Sequence, residues 1–316
     1  MPSFSFDEHE DGRAVAVVRG GSDSGSVLYL HSSDTCGRKP ALLVDRKKYT
    51  AELRGLTGSQ KTQVFAQIDL ALKRKETADY FNGEAHIKHL YEMVLKDHAN
   101  TQELTLDDEG MFEVLPNPAK DKREVLYICG QSGSGKSYFA KTYADFYKKI
   151  FPSRSVYLIS ELAEDKTLDV LKFLKRISLQ SLIEDPPDLK EFHDCLVIFD
   201  DIDALQGAAN KSIWTLIDKL AIMGRHSCTS IMVLSHFTTN YAKTRLILAE
   251  CTHIVVYPTT TAFPALKHLL ENHAGVDVAD LKRHRNFGSR WICYFKGFPT
   301  FCVAQKDAEL LNQRCK

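Results

Sequence analysis

Gly130-Gln131-Ser132-Gly133-Ser134-Gly135-Lys136-Ser137 matches the pattern G-x-x-x-x-G-K-[ST] at every fixed position. Few folds can use such a segment. It needs a strand before it and a helix after it, so that successive backbone N–H groups converge on a nucleotide's phosphates. Both flanks are present. Val125-Leu126-Tyr127-Ile128-Cys129 is apolar and strand-like, while Phe139, Tyr143, Phe146, Tyr147 and Ile150 recur at helical spacing. The glycines let the backbone curl and approach closely. Lys136 supplies positive charge to the β- and γ-phosphates, and Ser137 a hydroxyl for Mg²⁺. ATP and Mg²⁺ are therefore the expected ligands.

The chain has 316 residues and 44% hydrophobic content, enough for one large domain or two ordinary ones. No apolar run approaches the length of a membrane span, and the polar, acidic start from Met1 to Asp11 argues against a signal peptide. None of the eight cysteines stands in a C-x-x-C pair. Cys129, Cys195, Cys251, Cys293 and Cys302 lie in or beside strand-like runs and read as small buried hydrophobes in a reducing compartment. The formal net charge of zero excludes a uniformly basic DNA binder. The charge is uneven, however: residues 37–75 carry ten Lys and Arg against three Asp and Glu, and residues 281–316 eight against two. Such stretches suit either nucleic acid or solvent.

Short apolar runs at 14–18, 27–31 and 41–44 predict a small meander. Two helices follow, marked by Val64, Ile68 and Leu72 and by Ile87, Leu90, Tyr91, Val94 and Leu95. Residues 99–124 read as a linker holding one strand, Met111 to Leu115. From there strands alternate with helices. Strands are expected at 124–129, 155–160, 195–199, 230–235 and 252–257, and helices near 137–150, 166–182, 210–223 and 240–249. Trp291–Phe295 and Thr300–Val303 read as a closing hairpin. The expected fold is α/β: an ASCE or RecA-like P-loop NTPase at 121–316, mostly parallel with helices on both faces, behind a small α+β accessory domain at 1–120.

Leu196-Val197-Ile198-Phe199-Asp200-Asp201 is an apolar strand ending in two carboxylates. In phosphate-loop enzymes that strand end holds the Mg²⁺ shell and the attacking water. Asp200 is the expected metal carboxylate, and Asp201 the group that polarises water, with Asp203 a weaker candidate. Strand 155–160 separates the two motifs in sequence. Placed between them in the sheet as well, it would mark the ATPase class that activates water with a strand-end acid; simple kinases and GTPases usually set the two strands side by side. Ser235 and His236 end the following strand, where a polar side chain touches γ-phosphate or water. Arg225 follows a helix that Gly224 caps, and its planar fork suits a neighbouring subunit's nucleotide.

These pieces together resemble the genome-packaging ATPases of nucleocytoplasmic large DNA viruses and virophages, a branch of the FtsK–HerA superfamily. The matching segments are GQSGSGKS at 130–137, LVIFDD at 196–201, Met223-Gly224-Arg225-His226-Ser227, IMVLSHF at 231–237 and Lys243-Thr244-Arg245. The most specific is the GRH-S element between the acid strand and the polar-ended strand. The resemblance covers about residues 124–305. Two departures stand out: the family often has Gln where His236 stands, and the first 120 residues match nothing in it.

The resemblance implies a homo-oligomeric ring of five or six subunits that hydrolyses ATP to drive double-stranded DNA into a capsid, in the virion or host cytoplasm, with a capsid protein as a further partner. Lys243, Arg245, Lys282, Arg283 and Arg285 would contact the DNA backbone. Two other readings stay open, an AAA+-like ATPase or helicase acting on DNA and a nucleoside or small-molecule kinase. The strands expected after residue 252 and the lack of an arginine-rich lid argue against them.

Overall fold

The structure, a computed structural model, describes residues 2–6, 12–31, 46–74, 76–106, 109–185 and 187–311. Along the chain run β1 (Ser3–Ser5), β2 (Gly12–Arg19), β3 (Val27–His31), α1 (Arg46–Tyr49), α2 (Gly58–Arg74), α3 (Ala85–Gln102), β4 (Glu103–Thr105) and β5 (Met111–Val114). Then come β6 (Val125–Cys129), α4 (Lys136–Ile150), β7 (Ser155–Ser160), β8 (Leu174–Arg176), α5 (Leu179–Glu184), β9 (Cys195–Asp200), α6 (Gly207–Met223) and β10 (Ser230–Ser235). The last are α7 (Tyr241–Glu250), β11 (His253–Val256), α8 (Phe263–Ala274), α9 (Val278–His284), β12 (Ile292–Phe295), β13 (Phe301–Ala304) and β14 (Asp307–Leu310).

A ten-stranded sheet forms the body, in the order β4-β14-β13-β12-β11-β6-β10-β9-β7-β8. The six strands from β11 to β8 are mutually parallel, and β12, β13, β14 and β4 add an antiparallel wing. Strands β6, β9 and β10 are buried at every position. Their near-continuous apolar sequences follow from cover on both faces, which leaves no polar side to alternate. On one face α4 buries Phe139, Ala140, Tyr143, Ala144 and Tyr147, spaced by three and four residues. Each such large side chain contributes about 1.5–3 kcal/mol by leaving water.

One buried carboxylate ties the chain's first strands to this body. Glu124 accepts from Arg13 Nη2 on β2 at 2.6 Å, from Tyr143 Oη on α4 at 2.5 Å and from the Asn117 N–H at 2.9 Å. Three donors offset the cost of burying its charge. The small sheet, ordered β1-β3-β2-β5, shares a core with the large one: Phe4, Val15, Leu28 and Phe112 pack with Phe295, Phe301 and Val303. Helices α2 and α3 keep a separate core around Phe65, Ile68, Leu90 and Tyr91.

Several expectations change. The meander strand at 41–44 lies outside the described residues. No helix spans 166–182: the segment is a turn, the short strand β8 and the six-residue α5. Asp165 Oδ1 accepts from the Thr167 and Leu168 N–H groups, closing that turn, and β8 then pairs parallel with β7. Helices α8 and α9 occupy 263–284, a stretch given no element between the strands expected at 252–257 and 291–303, which both form. Most telling is the sheet order. Strand β7 lies outside β9; the strand between β6 and β9 is β10. The inserted strand that separates ATPases from simple kinases is present, but residues 230–235 supply it. This is the P-loop NTPase fold.

Candidate active site

The phosphate loop leaves β6 and enters α4. Gly133 and Gly135 take φ of 74° and 114°, which side chains rarely tolerate. Gly130 is required for a different reason. A Cβ there would come within 2.7 Å of the Tyr257 ring and 2.8 Å of Ser134 Oγ. The Lys136 ammonium donates to the Gly130 and Gln131 carbonyls at 2.9 and 3.2 Å, which holds it at the mouth of the loop. Burial pushes the pKa of Lys136 down, and the carboxylates of Asp200, Asp201 and Asp203 oppose that shift.

Asp200 ends β9 almost fully buried. Its Oδ2 accepts from Ser137 Oγ at 3.2 Å and its Oδ1 from the Asp201 N–H at 3.0 Å. Burial, then the neighbouring Asp201 charge, pushes the Asp200 carboxyl up to about 6. A buried acid so raised is one that a cation would hold ionised. Ser137 and Asp200 present hard oxygen donors side by side, and Ser134 Oγ is buried in the loop without a hydrogen-bond partner. These donors fit Mg²⁺ and a phosphate chain.

Asp201 stands in the left-handed region with φ 54°, an uncommon setting for any residue but glycine. Its Oδ1 lies 3.5 Å from His236 Nε2, and His236 Nδ1 lies 3.4 Å from Lys136 Nζ. One imidazole thus bridges the acid expected to polarise water and the lysine expected to bind phosphate. Ser235 is fully buried and does not face the mouth: its Oγ donates to Asp203 Oδ2 at 2.8 Å. Asp203 therefore clamps the end of β10.

Arg225 is not part of this cluster. It precedes the N-terminal end of β10, whereas Ser235 and the loop lie at the C-terminal end of the parallel strands. It therefore lies at the opposite end of the sheet from its own chain's loop. Gly224 caps α6 as expected, its N–H donating to the Leu220 carbonyl, though from the right-handed region; its missing side chain also makes room for Arg123, since a Cβ would sit 2.7 Å from Arg123 Nη1. Arg123 itself donates to the Leu220 and Ala221 carbonyls at 2.7 and 2.5 Å, capping α6.

No protein-family model matches the chain. Over 206 residues it is 33% identical to the uncharacterized protein V3 of Sputnik virophage, an alignment covering 64% of this chain and 82% of that protein. The chain belongs to the family of this virophage protein. That agrees with the virophage kinship expected from the motifs. Among solved structures, the chain is similar to the genome packaging NTPase B204 of Sulfolobus turreted icosahedral virus 2, at 14% identity and a TM-score of 0.41, over 60% of this chain and 99% of that one. It is also similar to the cytoplasmic domain of the type VII secretion ATPase EccC of Thermomonospora curvata, at 12% identity and a TM-score of 0.42, over 69% and 29% of the two chains. Both likenesses are distant, and family membership rests on the virophage relative.

In this virophage-family chain two groups at the site escape sequence reasoning. Arg290 donates from Nε to the Ser134 carbonyl at 2.7 Å and from Nη2 to Gly133 at 3.1 Å, bracing the loop from the β12 side. It stands over 150 residues from the loop, and nothing in its neighbourhood marks it. Tyr257, which packs against Gly130, ends an apolar strand like many others. The basic candidates divide. Arg283 is held by Glu309 and by Asp280 at 3.1 Å, and Arg285 lies 5.4 Å from the centre of the Phe263 ring. Among the described residues no helix is long and apolar enough to cross a membrane. The five strand cysteines are buried as expected.

Proposed function

We propose that this protein is an ATP-hydrolysing motor of the FtsK–HerA superfamily that moves double-stranded DNA, packaging a viral genome into a capsid. One observation carries the hydrolytic part. Asp201 and Lys136 converge on His236 at the C-terminal ends of β9, β6 and β10, with β10 inserted between the acid strand and the loop strand. Lys136 and the loop N–H groups bind the triphosphate. Ser137 and Asp200 hold Mg²⁺, which when bound neutralises phosphate charge. Asp201 accepts the proton of the attacking water, and His236 reports on the terminal phosphate. The inserted strand counts against a kinase.

Virophage kinship and the GRH-S element support the packaging role. Arg225, remote from its own loop, fits a finger reaching the next subunit of a ring. Lys243, Arg245, Lys282 and Arg285 are candidates for backbone contacts. Arg283 is already paired with Glu309. The protein would work in the host cytoplasm and the virion, against a capsid protein.

The test is ATP turnover with and without long double-stranded DNA, across a salt series. Turnover should rise with DNA, and DNA binding should weaken steeply with salt whatever the sequence, because phosphates and not base edges are contacted. Neutralising a true contact lowers the salt slope by about one. Turnover indifferent to DNA, with phosphate passed instead to an added nucleoside, would reject the motor and install the kinase.

A further inference from the structure

The triphosphate has a direction on this site. Asp200, Asp201 and His236 lie on the β9–β10 side of the loop, and they mark where the terminal phosphate sits. Across the top of the sheet the order is β9, β10, β6, β11, β12. A chain of phosphates laid along the loop with its end at Asp201 must send its other end toward β11 and β12. On that side, next to the first turn of α4, lies a cleft of about 290 Å³. That is at the small end of the range of about 300–1,000 Å³ for ligand clefts.

The walls of the cleft come from three parts of the chain. Tyr138 and Thr142 line it from α4, one and five residues beyond Ser137. Arg290 and Trp291 line it from the segment before β12, and the same Arg290 braces the loop. Arg19 and Met111 line it from β2 and β5 of the small sheet. Trp291 packs edge-on against Phe139 at 5.1 Å, which fixes one aromatic wall. Arg19 Nη1 lies 3.4 Å from Tyr138 Oη and pairs with Glu113 at 3.0 Å, so the far wall is tied to the helix. Aromatic and guanidinium planes at the nucleoside end of a phosphate site suit a flat heterocyclic base.

We propose that this cleft receives the base and ribose of the nucleotide, and that the small N-terminal sheet is therefore a wall of the nucleotide site. The inference rests on the phosphate-loop reading above and assigns the first 120 residues a part in it. The occupant is a nucleoside, continuous with the phosphates; inorganic triphosphate fills the loop but leaves the cleft untouched.

The comparison of ATP with tripolyphosphate, both with Mg²⁺, tests this in the full-length protein. Thr142→Trp, which fills the cleft, should weaken ATP at least tenfold and leave tripolyphosphate within twofold. Met111→Ala, which opens the far wall, should weaken ATP a few-fold with the same selectivity. The chain has two tryptophans, Trp214 and Trp291. In a Trp214→Phe protein, the fluorescence of Trp291 should change on adding ATP and not on adding tripolyphosphate. Equal affinity of the unaltered protein for the two ligands, or equal effects of both substitutions on them, overturns the cleft and leaves the phosphate site standing. Failure to bind either ligand overturns both.

Discussion

Asp203 holds His236 by its backbone: its Oδ2 accepts the His236 N–H at 2.7 Å while also accepting Ser235 Oγ at 2.8 Å. The imidazole that lies between Lys136 and Asp201 is thus positioned through its backbone by a third acid.

This division of labour separates two conservative substitutions. Asp201→Asn should keep the fold and ATP affinity but slow hydrolysis by about a hundredfold or more, as removal of a general base does. Asp203→Asn should cost roughly 1–3 kcal/mol of stability, because two donors at the end of β10 lose a charged acceptor. Thermal melts and single-turnover hydrolysis distinguish them. Normal hydrolysis by Asp201→Asn, with loss in a stable Asp203→Asn, would reverse the assignment.

The loop makes a sharper demand. Lys136→Ala should lose most nucleotide affinity or turnover, since a point charge at the phosphates disappears. Gly130→Ala should do comparable harm without touching charge, because its Cβ would overlap the Tyr257 ring. Isothermal titration with an ATP analogue checks both. Unaltered affinity in Gly130→Ala would show that the loop and Tyr257 can separate freely.

Arg225→Ala subunits should bind ATP normally and hydrolyse it poorly. Mixed with Lys136→Ala subunits they should recover part of the activity, each supplying what the other lacks. The position of Arg225 at the far end of β10 leaves no room for a rescue within one chain. Absence of recovery at every mixing ratio, in oligomers shown to be mixed, would make Arg225 structural.

Acid should destabilise the protein through His284. Burial, with Arg283 nearby, pushes it down to about 4, while Tyr294 Oη at 2.9 Å and Glu309 at 3.2 Å face its two nitrogens. The folded pKa lies below the unfolded one, so its contribution is complete above about 6.5 and is lost as pH falls toward 4. His253, buried beside Glu124 and Arg13, is shifted the same way. Asp200 acts in the opposite sense, because a raised carboxyl favours the folded state as acid is added. Denaturant melts from pH 7 to pH 5 should show His284→Gln losing less stability than the unaltered protein, by up to about 1.4 kcal/mol per pH unit. Parallel slopes would refute it.

What could be read from sequence was local. The glycine loop, its strand and its helix are specified by contiguous residues, as are β9 and β10. The segment 166–182 misled because Leu168, Leu171 and Leu182 are all buried at spacings a helix also produces. Its backbone partner is the edge of β7, which no local pattern records. Sheet order failed for the same reason: β10 and β7 are equally apolar, and only packing decides which lies beside β6. Arg290 reaches the loop through an antiparallel wing formed long after it in sequence, so its role surfaces only in three dimensions.

Strand β4 closes one edge of the large sheet, pairing Glu103, Leu104 and Thr105 with β14, and Thr105 Oγ1 donates to Asp307 at 2.9 Å. A chain begun at residue 121 would keep the loop and both acids yet leave β14 bare, with the apolar residues under the small sheet uncovered. Open strand edges recruit one another. Such a shortened protein should be prone to aggregation and proteolytic nicking, and low turnover in it would report a lost seam and not a lost motif.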